Sequence, residues 1–136
     1  MKSTNYTSTF LQVADDCPVT AAEPPPTGGE KPTVAAVHYA LLVAHPYEFT
    51  SDDLLFEADA LRRRLPPEKK AAARTEFFAK ERACLRSSPL GKRYGWGIHF
   101  DATSRVALVA LGSPEYDDLA ADASLKHIKA LRSRRV

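Results

Sequence analysis

The stretch Tyr94-Gly95-Trp96-Gly97-Ile98-His99-Phe100 constrains the fold more than any other part of the chain. Read with period two, it puts Tyr94, Trp96, Ile98 and Phe100 on one side and Gly95, Gly97 and His99 on the other. One face is large and apolar; the other is almost bare backbone ending in an imidazole. This pattern predicts a strand whose greasy side joins the core and whose bare side is approached closely by another element. Asp101-Ala102-Thr103-Ser104 reads as a hairpin loop, and residues 105–111 as the returning strand. Val106, Leu108 and Ala110 alternate with Ala107, Val109 and Leu111, so both faces are apolar and the strand reads as the central, most buried one.

Before this hairpin, residues 4–13 are rich in strand formers, with Phe10, Leu11 and Val13 as buried anchors. Residues 15–32 form a long Pro/Gly-rich connection, because Pro24-Pro25-Pro26-Thr27-Gly28-Gly29 cannot continue a helix or a central strand. A stiff polyproline segment laid across the surface is its plain reading.

Three helices follow. Thr33 caps one over 34–44, which Pro46 ends. Thr50 with Asp53 resembles a capping box, and the two acids Asp52 and Asp53 suit the first turn of a second helix. Leu54, Leu55, Ala58, Leu61 and Leu65 mark its apolar stripe. Pro66-Pro67 restarts the chain into a third helix over 68–82, carrying Phe77 and Phe78. Beyond the hairpin, Ser113-Pro114 opens a short acidic helix over 115–122. In residues 124–131 a spacing of three for Leu125, Ile128 and Leu131 favours helix, while Ile128 with Ala130 fits a strand edge. The architecture expected is α+β: an antiparallel sheet of about three strands (the N-terminal strand plus the hairpin over 93–111) with four or five helices covering one face and the ends. The whole, residues 1–136, reads as a single domain with a basic C-terminal tail.

A net charge of +2 imposes no global field that demands nucleic acid or membrane. Locally, eleven basic residues face three acids between Arg62 and Arg93, which marks either solvated helix faces or an anion-facing patch. Residues 1–12 lack the apolar core of a signal peptide, and no apolar run is long enough to span a bilayer. Cys17 and Cys84 form no CxxC or zinc spacing. A cytoplasmic protein with free thiols, not bound to membrane, is the expectation, with Cys84 a small buried hydrophobe. His38 and His45 lie seven residues apart, without the closer spacing or third ligand a metal needs, and nothing in the sequence calls for a metal or cofactor.

The candidate site residues gather at 86–100. Arg86, Lys92 and Arg93 offer cationic donors, Ser88 a hydroxyl, and His99 an imidazole on the glycine-lined face. The pattern is not a phosphate-binding P-loop and matches no RNA-binding signature. Three readings stay open. One is a module binding an anionic small ligand or nucleic acid through Arg86, Ser88, Lys92, Arg93 and His99. Another is an enzyme using His99 with Asp52 or Asp53 as acid–base groups. The last is a structural protein that forms a homodimer.

Three segments carry a resemblance: Thr4-Asn5-Tyr6, Thr50-Ser51-Asp52-Asp53-Leu54-Leu55-Phe56, and Ser88-Pro89-Leu90-Gly91-Lys92-Arg93-Tyr94-Gly95-Trp96-Gly97-Ile98-His99. In them the chain resembles the small microbial family labelled domain of unknown function 6157, nearly end to end. It departs at Pro66, where relatives are expected to carry a capping hydroxyl. The resemblance implies no activity, cofactor, partner or catalytic residue.

Overall fold

The computed structural model describes residues 3–27 and 31–133. Gly28 and Gly29 of the Pro/Gly-rich connection, and Arg134 and Arg135 of the basic tail, lie outside the described residues. The architecture is α+β, as expected, but the sheet is mixed and has four strands: β1 (Thr9–Gln12), β2 (Trp96–Phe100), β3 (Val106–Ala110) and β4 (Lys126–Lys129), in the order β3-β2-β1-β4. The β2–β3 hairpin is antiparallel, with Ile98 opposite Leu108. β2 also runs antiparallel to β1, where Phe10 faces His99. β4 lies parallel to β1, with Ile128 beside Leu11.

Two expectations about strands are corrected. The first concerns residues 124–131, where the spacing of three favoured helix. β4 forms there instead, because Leu125 and Ile128 serve opposite faces of the sheet. Ile128 and Ala130 share the face that joins the main core, which is the period of a strand. The second concerns β3, which is an edge strand rather than the central one. Its apolar character on both faces has two causes. Val106 enters the main core on one side, and Val109 packs with Phe10 and Tyr116 on the other. Its outer edge is closed by residues 47–50: Tyr47 N–H donates to the Val106 carbonyl at 2.9 Å and Val106 N–H to the Phe49 carbonyl at 2.9 Å.

The helices are α1 (Val34–Ala44), α2 (Ser51–Arg63), α3 (Lys70–Phe78), α4 (Pro89–Arg93) and α5 (Pro114–Ala120). Thr33 caps α1 as read, accepting from Ala36 N–H at 3.1 Å. The Thr50–Asp53 capping box of α2 is complete in both directions. The buried stripe of α2 runs through Leu54, Phe56, Ala58 and Ala60, whereas Leu61 is 53% exposed. The third helix is shorter than 68–82. A 3₁₀ turn (Pro67–Lys69) precedes α3, and Arg82 folds back to donate its Nε–H to the Phe77 carbonyl at 2.8 Å while stacking on the Phe77 ring. That captured carbonyl closes the helix end. Residues 89–93, read as a lead-in to the strand, form the short helix α4 with Ser88 as cap and Pro89 in its first turn.

Helices cover both faces of the sheet, not one. Under α1, α2 and α4 lie Leu11, Ile98, Phe100 and Val106, joined by Leu42, Leu54, Leu85 and Leu90. α5 covers the opposite face, placing Tyr116 edge-on against Phe10, with ring centroids 4.9 Å apart. Gly97 is the point of closest approach: a β-carbon there would sit 2.9 Å from both Phe10 Cε1 and Tyr116 Cε2. The bare face of the strand thus has the tight packing its glycines implied. The Pro-rich connection crosses the end of the sheet. Glu23 N–H donates to the Tyr94 carbonyl at 3.0 Å, and Trp96 Nε1–H returns a bond to the Glu23 carbonyl at 2.9 Å.

Candidate functional site

A cleft of about 290 Å³ lies between the start of α1 and the short helix α4. Thr33, Val34 and Ala35 form one wall; Pro89, Lys92 and Arg93 form the other; Tyr94 and Pro26 close the ends. Each wall follows from a local sequence signal. The Thr33 cap fixes where α1 begins. The Ser88-Pro89 pair starts α4, with Ser88 Oγ accepting from Leu90 N–H at 3.3 Å. Gly91 lets α4 lie against the C-terminal segment, since a β-carbon there would be 3.0 Å from Ala130 Cβ. Gly95, at φ +79°, turns the chain from α4 into β2.

A buried contact holds the walls together below the cleft. His38 Nδ1, from α1, lies 3.1 Å from Ser88 Oγ. Burial, aided by the positive charge of Arg62, pushes the His38 pKa down to about 4, so the ring is neutral at pH 7. Ser88 Oγ also accepts from Leu90 N–H at 3.3 Å, so the hydroxyl ties the ring to the first turn of α4.

The electrostatics of the cleft are one-sided. Lys92 and Arg93 make no ion pair among the described residues, unlike Arg63, Lys70, Arg74, Lys129 and Arg132. Opposite them, the Val34 and Ala35 N–H groups at the start of α1 have no hydrogen-bond partner among the described residues. Two side-chain cations and the start of a helix, where the backbone carries partial positive charge, therefore border one hollow, a combination that favours negative charge.

The other candidate residues are dispersed. Arg86 turns toward the C-terminal strand, donating its Nε–H to the Lys129 carbonyl at 2.7 Å. Ser88 is buried under the cleft. His99 lies on the α5 face of the sheet, with Nδ1 2.9 Å from the Tyr47 hydroxyl. Burial lowers its pKa, opposed by the charges of Asp101 and Asp122. Asp52 accepts from Thr4 Oγ1, Thr4 N–H and Ser3 Oγ. Burial would raise its pKa, but those bonds and the nearby Arg74 outweigh it and hold the carboxylate below its usual range. Asp53 completes the capping box and pairs with Arg74 at 2.9 Å. His99 and the two aspartates thus have separate partners. Cys84 is half-buried rather than buried, and accepts a long 3.6 Å bond from the Tyr6 hydroxyl. Among the described residues no three His, Cys, Asp or Glu side chains are arranged to hold a metal. His38 is engaged with Ser88, and His45 with Glu48.

Of the residues that border the cleft, the sequence singled out Lys92 and Arg93 as candidates but gave no sign that Thr33–Ala35 and Pro26 lie beside them. Thr33 was legible as a cap; that it faces α4 is a tertiary fact with no local signal.

Fold and cleft together define a small α+β protein in which a four-stranded mixed sheet carries a cationic hollow between two helix starts. The whole chain, residues 1–136, matches the profile of the "Family of unknown function (DUF6157)", and the chain belongs to that family. No curated protein and no solved structure matches it. Among the described residues, no helix is long and apolar enough to cross a membrane.

Proposed function

We propose that this protein is a binding module for a small anionic ligand, held in the cleft between α1 and α4 by Lys92 and Arg93. The observation that carries the reading is that both cations border the cleft and make no ion pair among the described residues. Arg93 also borders a neighbouring hollow with Asp16, whose carboxylate accepts from Ser133 N–H at 3.0 Å. The Val34 and Ala35 amides add donors that need no rearrangement to meet an anion. A nucleic-acid partner fits less well. Trp96, the best stacking surface in the sequence, spends its N–H on Glu23 and packs against Tyr39, with ring centroids 5.3 Å apart. The enzyme reading has no comparable convergence, since His99 bonds Tyr47 while Asp52 bonds Thr4.

The test is a titration of the ¹⁵N-labelled protein with inorganic phosphate, followed by amide NMR. Shifts confined to Val34, Ala35, Lys92 and Arg93, and abolished in the Lys92→Ala/Arg93→Ala double variant, support the reading. Shifts that survive the double variant, or none at millimolar phosphate, remove it.

A further inference from the structure

Resting on that reading, we propose that the cleft takes a phosphate monoester with an apolar or aromatic body, rather than a bare inorganic anion. Two adjacent cations that make no ion pair among the described residues suit a dianion, and a phosphate monoester carries about −1.5 to −2 at pH 7. The rest of the lining is of a different kind. Tyr94, Pro26, Pro89 and Val34 present ring and aliphatic surface in the same hollow. A bare phosphate would satisfy the cations and leave those walls wet. An attached apolar group would cover them, and that burial is favourable in proportion to the area removed from water.

Size and rigidity point the same way. A volume of about 290 Å³ is at the low end for small-molecule sites, which suits one ring and one headgroup rather than a polymer. The aromatic wall is also fixed in place. Tyr94 closes α4 through its N–H to the Leu90 carbonyl at 3.2 Å, and its own carbonyl accepts from Glu23 N–H. A ring whose backbone is bonded on both sides and whose side chain packs against the main core loses little freedom when a ligand meets it.

Isothermal titration of the full chain with phenyl phosphate, inorganic phosphate and a short single-stranded oligonucleotide tests this. Phenyl phosphate is expected to bind at least about tenfold more tightly than inorganic phosphate, because only it covers the apolar walls. Val34→Ser is expected to shrink that ratio toward one. The wild-type comparison needs no variant, so a folding defect cannot obscure it. Equal affinities for the two phosphates overturn the inference and leave the anion-binding reading standing. Tighter binding of the oligonucleotide than of phenyl phosphate also overturns it. Binding of neither phosphate removes the anion-binding reading itself.

Discussion

His38 Nδ1 lies 3.1 Å from Ser88 Oγ, both residues are buried, and this contact joins α1 to α4 directly beneath the cationic cleft. A neutral imidazole fits there; an imidazolium is disfavoured, because burial strips its hydration and the Arg62 charge repels it.

Acid should therefore weaken the fold through His38. The unfolded chain takes up this proton near pH 6.5, the folded chain only near pH 4. Between those values the unfolded state binds more protons, so the contribution is complete above pH 6.5 and is lost as pH falls toward 4. The full loss is about 3 kcal/mol. Urea denaturation at pH 7.5 and 4.5 should show this loss in the wild type and a clearly smaller one in His38→Gln. An identical pH slope in both proteins would refute the assignment.

Gly97 offers a test of the second core. Its missing side chain is what lets Phe10 and Tyr116 close over β2, and a β-carbon would need 2.9 Å contacts with both rings. These rings are buried, so the clash cannot be relieved by a flexible tip moving into solvent. Gly97→Ala should cost about 1–3 kcal/mol, the range for overpacking a filled interior. A urea midpoint unchanged from wild type would mean that α5 lifts freely from the sheet.

The capping box of α2 was readable in full from Thr50 and Asp53, and its geometry makes a quantitative statement possible. Thr50 Oγ1 accepts from Asp53 N–H at 3.1 Å, and Asp53 accepts from Thr50 N–H at 3.2 Å. Thr50→Ala removes the first bond and should destabilise the protein by about 1 kcal/mol. Asp53→Ala should cost more than Thr50→Ala, because Asp53 also pairs with Arg74, whose guanidinium lies 5.6 Å from the Phe56 ring centre and 5.1 Å from that of Phe78. Thermal unfolding of the two variants gives the order.

What was legible in the sequence is whatever short-range chemistry decides. The caps at Thr33, Thr50 and Ser113 are local, and so is the Asp101 turn, where Oδ1 accepts from Thr103 N–H at 2.8 Å and Arg105 N–H at 3.0 Å. The period of Trp96 to Phe100 is local too. Sheet order is not local. β4 pairs with β1 across more than a hundred residues, and its apolar residues are too few for the period to declare itself. The same limit explains the site. Lys92 and Arg93 were visible as charges, but whether Arg86 or His99 stands beside them depends on how α4 turns into β2 at Gly95. His99 ends on the far face of the sheet for the reason its alternation gave: it shares a face with Gly97, and that face belongs to α5.

α2 shows how a stripe can be misread, and the difference is measurable. Leu61 fits a helical spacing from Leu54 and Ala58, yet it is 53% exposed, whereas its neighbour Ala60 is 2% exposed and packs with Phe56, Ala73 and Phe77. Phe56 was passed over, yet it is only 2% exposed and packs edge-on against Phe77, with ring centroids 5.8 Å apart. Together with Ala60 and Ala73 these rings form the small core that attaches α3 to α2. Phe56→Ala should cost about 3–5 kcal/mol, by lost burial and the cavity it leaves. Leu61→Ala should stay within about 0.5 kcal/mol of wild type, as for other exposed positions. Urea titrations of both variants decide between the two readings of the helix. A large loss from Leu61→Ala would mean that its face is covered in solution, and a small loss from Phe56→Ala would mean that α3 contributes little to the stability of the fold.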